Sequence, residues 1–341
     1  KPLQLQQLLA LDVNCMLESI KLDYGVITGD PLLKKEIIKL YQNASPEEVT
    51  TVQGCLLANQ LVMETLLKPG DRVLAYAPSY QQFQSLPESY GCTVELLPLK
   101  EENGWLPREQ DLEAAFQKPV RLVILNNPNN PTGTLFPQAY LKKLITLAQS
   151  RDAWILADEV YRDPAYPSLS DQYEKAVSTA SLSKMYSLAG LRLGWIRGSK
   201  ELIHEINVRR DYEIISTGPL ADRLGAIALQ HSEELLQRSR GIIEDNCKVI
   251  RTWLRQEPRA ALVMPETGTV SLLKYTAPAH SRELAAGLLK KYGVFFVPGS
   301  CFGCENHLRL GLTADAGTMA KGLQMLSRYL DECEYHSTAS Q

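Results

Sequence analysis

Lys184 stands in Ser181-Leu182-Ser183-Lys184-Met185-Tyr186-Ser187-Leu188-Ala189-Gly190-Leu191-Arg192-Leu193-Gly194, where an amine framed by small hydroxyls precedes a guanidinium by eight residues. A lysine in a partly buried pocket loses charge stabilisation, so its amine is neutral near pH 7 and attacks a carbonyl to form a Schiff base. Arg192 supplies an anion site at a fixed distance along the chain. Together they suit an aldehyde that also carries a phosphate. Most lysines are solvated surface charges, so the weight falls on what accompanies this one.

The segment Trp154-Ile155-Leu156-Ala157-Asp158-Glu159-Val160-Tyr161 reads as a short apolar strand running into an acid, with a phenol three residues later. Asp158 in that place pairs with a pyridinium nitrogen and keeps it protonated, and Tyr161 hydrogen-bonds a phenolic oxygen on the same ring. Upstream, Arg121-Leu122-Val123-Ile124-Leu125 stops in Asn126-Asn127-Pro128-Asn129-Asn130-Pro131-Thr132-Gly133. That loop presents an amide, Asn130, to the same oxygen. Singly, these are a strand end capped by a carboxylate and a set of turn formers. Jointly they describe a site for pyridoxal 5'-phosphate (PLP), held by an imine, a phosphate clamp and a carboxylate at its ring nitrogen.

The combination of Asn-Asn-Pro-Asn-Asn-Pro-Thr-Gly, Asp-Glu-Val-Tyr, Ser-Leu-Ser-Lys and Gly-Leu-Arg-Leu-Gly resembles the fold type I PLP enzymes, within them the class I/II aminotransferases related to aspartate aminotransferase. The likeness runs from about Tyr24 to Leu330. It implies an α/β fold, with a large domain built on a mostly parallel seven-stranded sheet and a smaller α+β domain. It implies that Lys184 is the Schiff-base lysine and the base that moves a proton between the substrate α carbon and the cofactor's C4' carbon. Arg192, Ser181 and Ser183 form the phosphate clamp in this reading. Gly54-Cys55-Leu56 opens a helix after a strand and offers backbone N–H groups to the phosphate. Tyr80 resembles the aromatic residue that stacks on the ring, with simple packing as its plain alternative. Tyr24 resembles the tyrosine that reaches into the partner subunit's site, which implies a homodimer with shared active sites. Arg309, in His307-Leu308-Arg309-Leu310-Gly311, takes the substrate α-carboxylate with Asn130, because a planar guanidinium binds a carboxylate through two parallel hydrogen bonds.

The implied activity is transamination between an α-amino acid and a 2-oxo acid by way of pyridoxamine phosphate. Elimination and cyclisation use the same constellation, and Arg209-Arg210-Asp211-Tyr212-Glu213-Ile214-Ile215-Ser216-Thr217-Gly218 resembles aminotransferase-like proteins grouped with capreomycidine synthase. A noncatalytic PLP-binding regulatory domain stands as a third reading, although no basic helix-turn-helix accompanies it. A dinucleotide-binding oxidoreductase is disfavoured because no Gly-x-Gly-x-x-Gly follows a strand.

The elements needed to position these residues are legible. Asp30 and Pro31 open a helix whose Leu33, Ile37 and Leu40 recur at helical spacing. Strands are expected over 49–52, 72–75, 121–125, 153–157 and 176–180. They alternate with helices over 56–67 and 137–150, which argues for a mainly parallel sheet with ligands bound after the strand ends. The expected domains are 23–240 for the large one, 1–22 with 241–330 for the small one, and a disordered polar tail over 331–341. A helix over 233–255 bridges the two.

The chain has 341 residues, 45% of them hydrophobic, and a formal charge of −3, so nothing points to nucleic acid or an anionic membrane surface. No apolar run reaches the roughly 18 residues of a membrane span, and no basic-then-apolar leader opens the sequence. Lysine at position 1 suggests a trimmed start. Cys15, Cys55, Cys92, Cys247, Cys301, Cys304 and Cys333 are an odd, scattered set that fits a reducing cytoplasm, and the five histidines show no ligand spacing, so no metal is expected.

Overall fold

The computed structural model describes residues 2–12 and 17–338; Lys1, Cys15 and the end of the chain after residue 338 lie outside the described residues. The larger sheet holds β1 (Val49–Val52), β2 (Arg72–Ala77), β3 (Thr93–Pro98), β4 (Leu122–Asn126), β5 (Trp154–Asp158), β6 (Ala176–Ser181) and β7 (Gly194–Arg197). Their order is β1-β7-β6-β5-β4-β2-β3. Only β7 runs against its neighbours, β6 and β1; the other pairings are parallel. The fold is thus the fold type I α/β architecture expected from the sequence. The helices are α1 (Leu5–Leu9), α2 (Pro31–Ile38), α3 (Cys55–Leu66), α4 (Gln82–Ser89), α5 (Glu109–Ala115), α6 (Gln138–Ser150), α7 (Lys200–Arg210), α8 (Pro219–Gln230), α9 (Ser232–Leu254), α10 (Ser281–Tyr292) and α11 (Ala316–Thr338).

Alternation along the central strands decides which helices cover which face. In β4, Val123 and Leu125 pack with Leu112 of α5 and Leu141 and Leu144 of α6. Leu122 and Ile124 point the other way, to Leu61 and Val62 of α3 and Ile203 and Ile206 of α7. With both faces covered, β4 and β5 read as unbroken apolar runs that stop where the chain leaves the sheet at a polar residue, Asn126 and Asp158, whereas β6 already carries Ser178 and Thr179 before it ends at Ser181.

The second sheet is antiparallel, in the order β10 (Val297–Pro298), β11 (His307–Gly311), β9 (Val270–Tyr275), β8 (Ala260–Leu262). Leu273, Leu308 and Leu310 pack there with Ile250 of α9, Leu284 and Leu288 of α10, and Leu323 and Leu326 of α11.

Two expectations are corrected. Residues 1–22 were assigned to the smaller domain, but Leu8 is buried against the larger sheet's helices, with Leu33, Ile37, Leu224 and Trp195, and the Leu3 N–H donates to Ser187 O at 3.1 Å. Five residues of helix cannot make a core of their own, so α1 fills the groove beside α8. Residues 331–341 were expected to be disordered; instead α11 continues to Thr338. Asp331 and Glu334, one turn apart, both reach Arg259 Nη1, at 2.8 and 3.3 Å, and Glu332 meets Lys291 Nζ at 2.6 Å.

A buried ion pair fixes the turn after β5. Arg162 Nε lies 2.7 Å from Glu159 Oε2, and both side chains are almost wholly enclosed. Arg162 also donates to Leu40 O and Tyr166 O. Arg162→Met should destabilise the protein by about 3–5 kcal/mol, since it leaves the Glu159 charge buried without a partner. Urea unfolding checks this, and a change below about 1 kcal/mol would refute it.

Candidate active site

The carboxyl ends of β1, β4, β5 and β6 meet the start of β9 and the end of β11 around one cavity of about 600 Å³. Its walls include Cys55, Leu56, Tyr80, Asn130, Asp158, Tyr161, Ser181, Ser183, Lys184, Arg192 and Arg309. Two of the expected residues do not line this cavity directly. Gly54 is buried behind the Arg192 guanidinium, and Tyr24 lies outside the cavity, 66% exposed.

The loop between β6 and β7 carries Lys184 because its neighbours are anchored. Leu182, Met185, Tyr186 and Leu188 are buried in the core beneath, which leaves Lys184 facing the cleft. Although the cleft is open to it, protein atoms crowd its amine: Nζ lies 5.9 Å over the Tyr161 ring. This desolvation, followed by the positive charge of Arg309, holds the Lys184 pKa below its ordinary 10.5. Burial also pushes the Tyr161 phenol upward, so its proton is available for donation.

Asp158 ends β5 and is buried. Its Oδ2 accepts from Asn59 Nδ2 at 2.8 Å, and its Oδ1 from the Val160 N–H at 3.0 Å. Burial raises its pKa, opposed first by the Asn59 hydrogen bond. Arg309 reaches across from the second sheet. Its Nη1 donates to Asn130 Oδ1 at 3.0 Å, its guanidinium lies 5.5 Å from the Phe302 ring, and its buried Nε has no hydrogen-bond partner. Arg309 lines the cavity, and a guanidinium there suits an anionic acceptor such as a carboxylate.

Cys55 contributes differently from its expected backbone role alone. Its thiol turns inward and donates to Thr179 Oγ1 at 3.3 Å, and burial together with the Asp158 charge raises its pKa well above the usual thiol value, so it stays protonated. Asn59, Asn126, Thr269, Val270 and Pro2 also line the cavity or its floor and were not singled out from sequence. For Asn59 the signal was an amide on the otherwise apolar buried face of α3; for Pro2 there was none.

The donor set fits PLP. No side chain caps the first turn of α3, so its N–H groups remain free for phosphate oxygens, with Arg192 beside them. Gly54, at φ 87°, lets the guanidinium approach: a Cβ there would come 2.7 Å from Arg192 Nη2. Arg192 itself is held at φ 51°, a backbone cost tolerated where the side chain must be aimed. Gly54→Ala should weaken PLP binding by roughly tenfold, from backbone strain and displacement of Arg192. Equilibrium dialysis measures it; unchanged affinity would exclude the cradle. Among the described residues no group of three His, Cys, Asp or Glu side chains is arranged to hold a metal, and no helix is long and apolar enough to cross a membrane.

The comparisons agree with this geometry. The family model described as "Aminotransferase class I and II" matches residues 19–326. Capreomycidine synthase from Streptomyces vinaceus is 28% identical over 312 residues, 90% of this chain and 80% of that protein. A solved PLP-dependent aminotransferase from Streptococcus suis has a TM-score of 0.93 at 36% identity, covering 98% of this chain and 91% of that one. The PLP-dependent cyclase OrfR has a TM-score of 0.89 at 25% identity, covering 97% and 91%. With the matched segment taking in both sheets and every residue of the cavity lining except Pro2, the chain belongs to the class I and II aminotransferase family, and its cofactor is PLP.

Proposed function

We propose that this protein is an aminotransferase that moves the amino group of an α-amino acid to a 2-oxo acid. When bound, PLP supplies an aldehyde that exchanges amines and a protonated ring that withdraws electrons from the substrate Cα. Arg309 binds the substrate α-carboxylate, its plane set by Asn130 and Phe302. Lys184 Nζ, whose charge is disfavoured by burial and by Arg309, would take the proton from the substrate Cα and return it at the cofactor's C4' carbon. Asp158 holds the proton on the ring nitrogen. Of the residues on the cavity wall, Arg192, Ser181, Ser183 and the start of α3 would hold the phosphate, Tyr161 and Asn130 would serve the phenolic oxygen, and Tyr80 would pack on the ring.

The observation that carries this reading is the convergence of the Lys184 amine, the buried Asp158 carboxylate and the Arg309 guanidinium on a single cavity. Its test is a single turnover with one amino acid and no oxo acid. One equivalent of 2-oxo acid per site, followed by arrest, supports transamination. Continued turnover to ammonia or a cyclised product supports the second reading, elimination or cyclisation, which the likeness to capreomycidine synthase and to a PLP-dependent cyclase favours.

We further propose a cytoplasmic homodimer. Six cysteines among the described residues are free, consistent with a reducing compartment. Tyr24 stands exposed on a segment with exposed Leu22, Val26 and Ile27, as a residue that completes a neighbour's site requires. Mixing Lys184→Ala with Tyr24→Phe chains should restore part of the activity that each lacks alone, because one site in the mixed dimer is then intact. No gain on mixing would count against shared sites.

A further inference from the structure

Among the buried side chains of α3, Asn59 alone is polar, 1% exposed beside Leu61, Val62 and Met63. A buried amide must find partners; Asn59 Nδ2 donates one proton to Gln82 Oε1 at 3.2 Å, and its other partners form a line with one direction. The Cys55 thiol donates to Thr179 Oγ1 at 3.3 Å, the Thr179 hydroxyl donates to Asn59 Oδ1 at 2.6 Å, and Asn59 Nδ2 donates to Asp158 Oδ2 at 2.8 Å. Thr179 has one hydroxyl proton, and it goes to the Asn59 carbonyl. That choice turns the amide N–H2 toward the carboxylate, where the inverted amide would set oxygen against oxygen. Donors aligned head to tail polarise one another and strengthen the last bond in the line.

On the other carboxylate oxygen, the Val160 N–H sits at 3.0 Å and Asn126 Nδ2 at 3.4 Å. All these donors are neutral, so they stabilise the negative charge without cancelling it. We propose that Asn59, oriented by Thr179, is a positioning residue that keeps the Asp158 carboxylate charged and aimed at the cofactor's ring nitrogen. The inference rests on the role given to Asp158 above. Among the groups that oppose the burial of Asp158, the Asn59 amide contributes most, ahead of Val160, Cys55 and Lys184.

The test uses the holoenzyme loaded with PLP whose ring nitrogen is isotopically labelled, read by NMR across pH, with PLP affinity measured by equilibrium dialysis. Asn59→Leu and Thr179→Val should move the ring-nitrogen signal toward the unprotonated position and weaken PLP by roughly tenfold. Thr179→Ser, which keeps the hydroxyl, should match the parent protein. A wild-type signal and affinity in folded Asn59→Leu and Thr179→Val would overturn the proposal. If Asn59→Leu does not fold, the contrast between Thr179→Val and Thr179→Ser decides alone. Asp158→Asn separates the two levels. A shifted signal there with none in the other variants defeats only the role of Asn59, whereas no shift in Asp158→Asn defeats the reading of Asp158 and the proposal with it.

Discussion

Lys184→Ala should leave a folded protein that no longer holds PLP covalently and removes the substrate Cα proton about 10²–10⁴-fold more slowly. Folding survives because the side chain faces the cleft while Leu182, Met185 and Tyr186 anchor the loop below it. Chemistry is lost because nucleophile and base are the same atom. Borohydride reduction followed by peptide mass analysis measures the attachment; an adduct on another lysine would overturn it. The pH dependence has a definite sign. With the folded-state pKa lowered below the ordinary 10.5, the folded apo chain binds fewer protons than the unfolded chain between those values. The Lys184 contribution to apo stability therefore rises with pH across that window, and the rate of PLP capture rises as pH climbs through the lowered value.

Arg309→Ala should lower kcat/KM for amino acids by roughly 30- to 5,000-fold, equivalent to about 2–5 kcal/mol, because a carboxylate brought into the cavity loses its charged partner. Arg309→Lys should recover little of it: a point charge cannot supply the paired N–H groups of a guanidinium, nor hold the bond to Asn130 Oδ1 and the Phe302 ring in one plane. The discriminating measurement compares an amino acid with the corresponding amine, which has no carboxylate. The parent protein should strongly prefer the amino acid, and the variant should not. Equal losses for both compounds would show that Arg309 acts on something other than the carboxylate.

Much of this site could be read before any coordinates because its residues follow strands buried on both faces. β4 and β5 appear as unbroken apolar runs, so the polar residue that ends each one, Asn126 or Asp158, is conspicuous. Lys184 and Arg192 share a short loop and were legible together. What escaped depends on contacts distant in sequence. Thr179 looks like any strand residue until Asn59, 120 positions away, is seen to accept its proton. The last turns of α11 are polar and carry no apolar stripe, and their order comes from Arg259 and Lys291 on other elements. The packing of α1 was hidden for the opposite reason: a few leucines fit many grooves, and only the space beside α8 selects one.

The reversed direction of β7 has a consequence for how a ligand is captured. Because β6 and β7 pair antiparallel, with Ser181 opposite Gly194, the chain between them returns to the edge it left, and Lys184 and Arg192 sit on one hairpin connection. A ligand with an aldehyde at one end and an anion at the other meets both groups on the same short segment. Once either end is held, the other is offered to its partner at an effective concentration of about millimolar or more, so two modest contacts act as one bivalent grip. Loosening the hairpin far from either contact should therefore weaken both together.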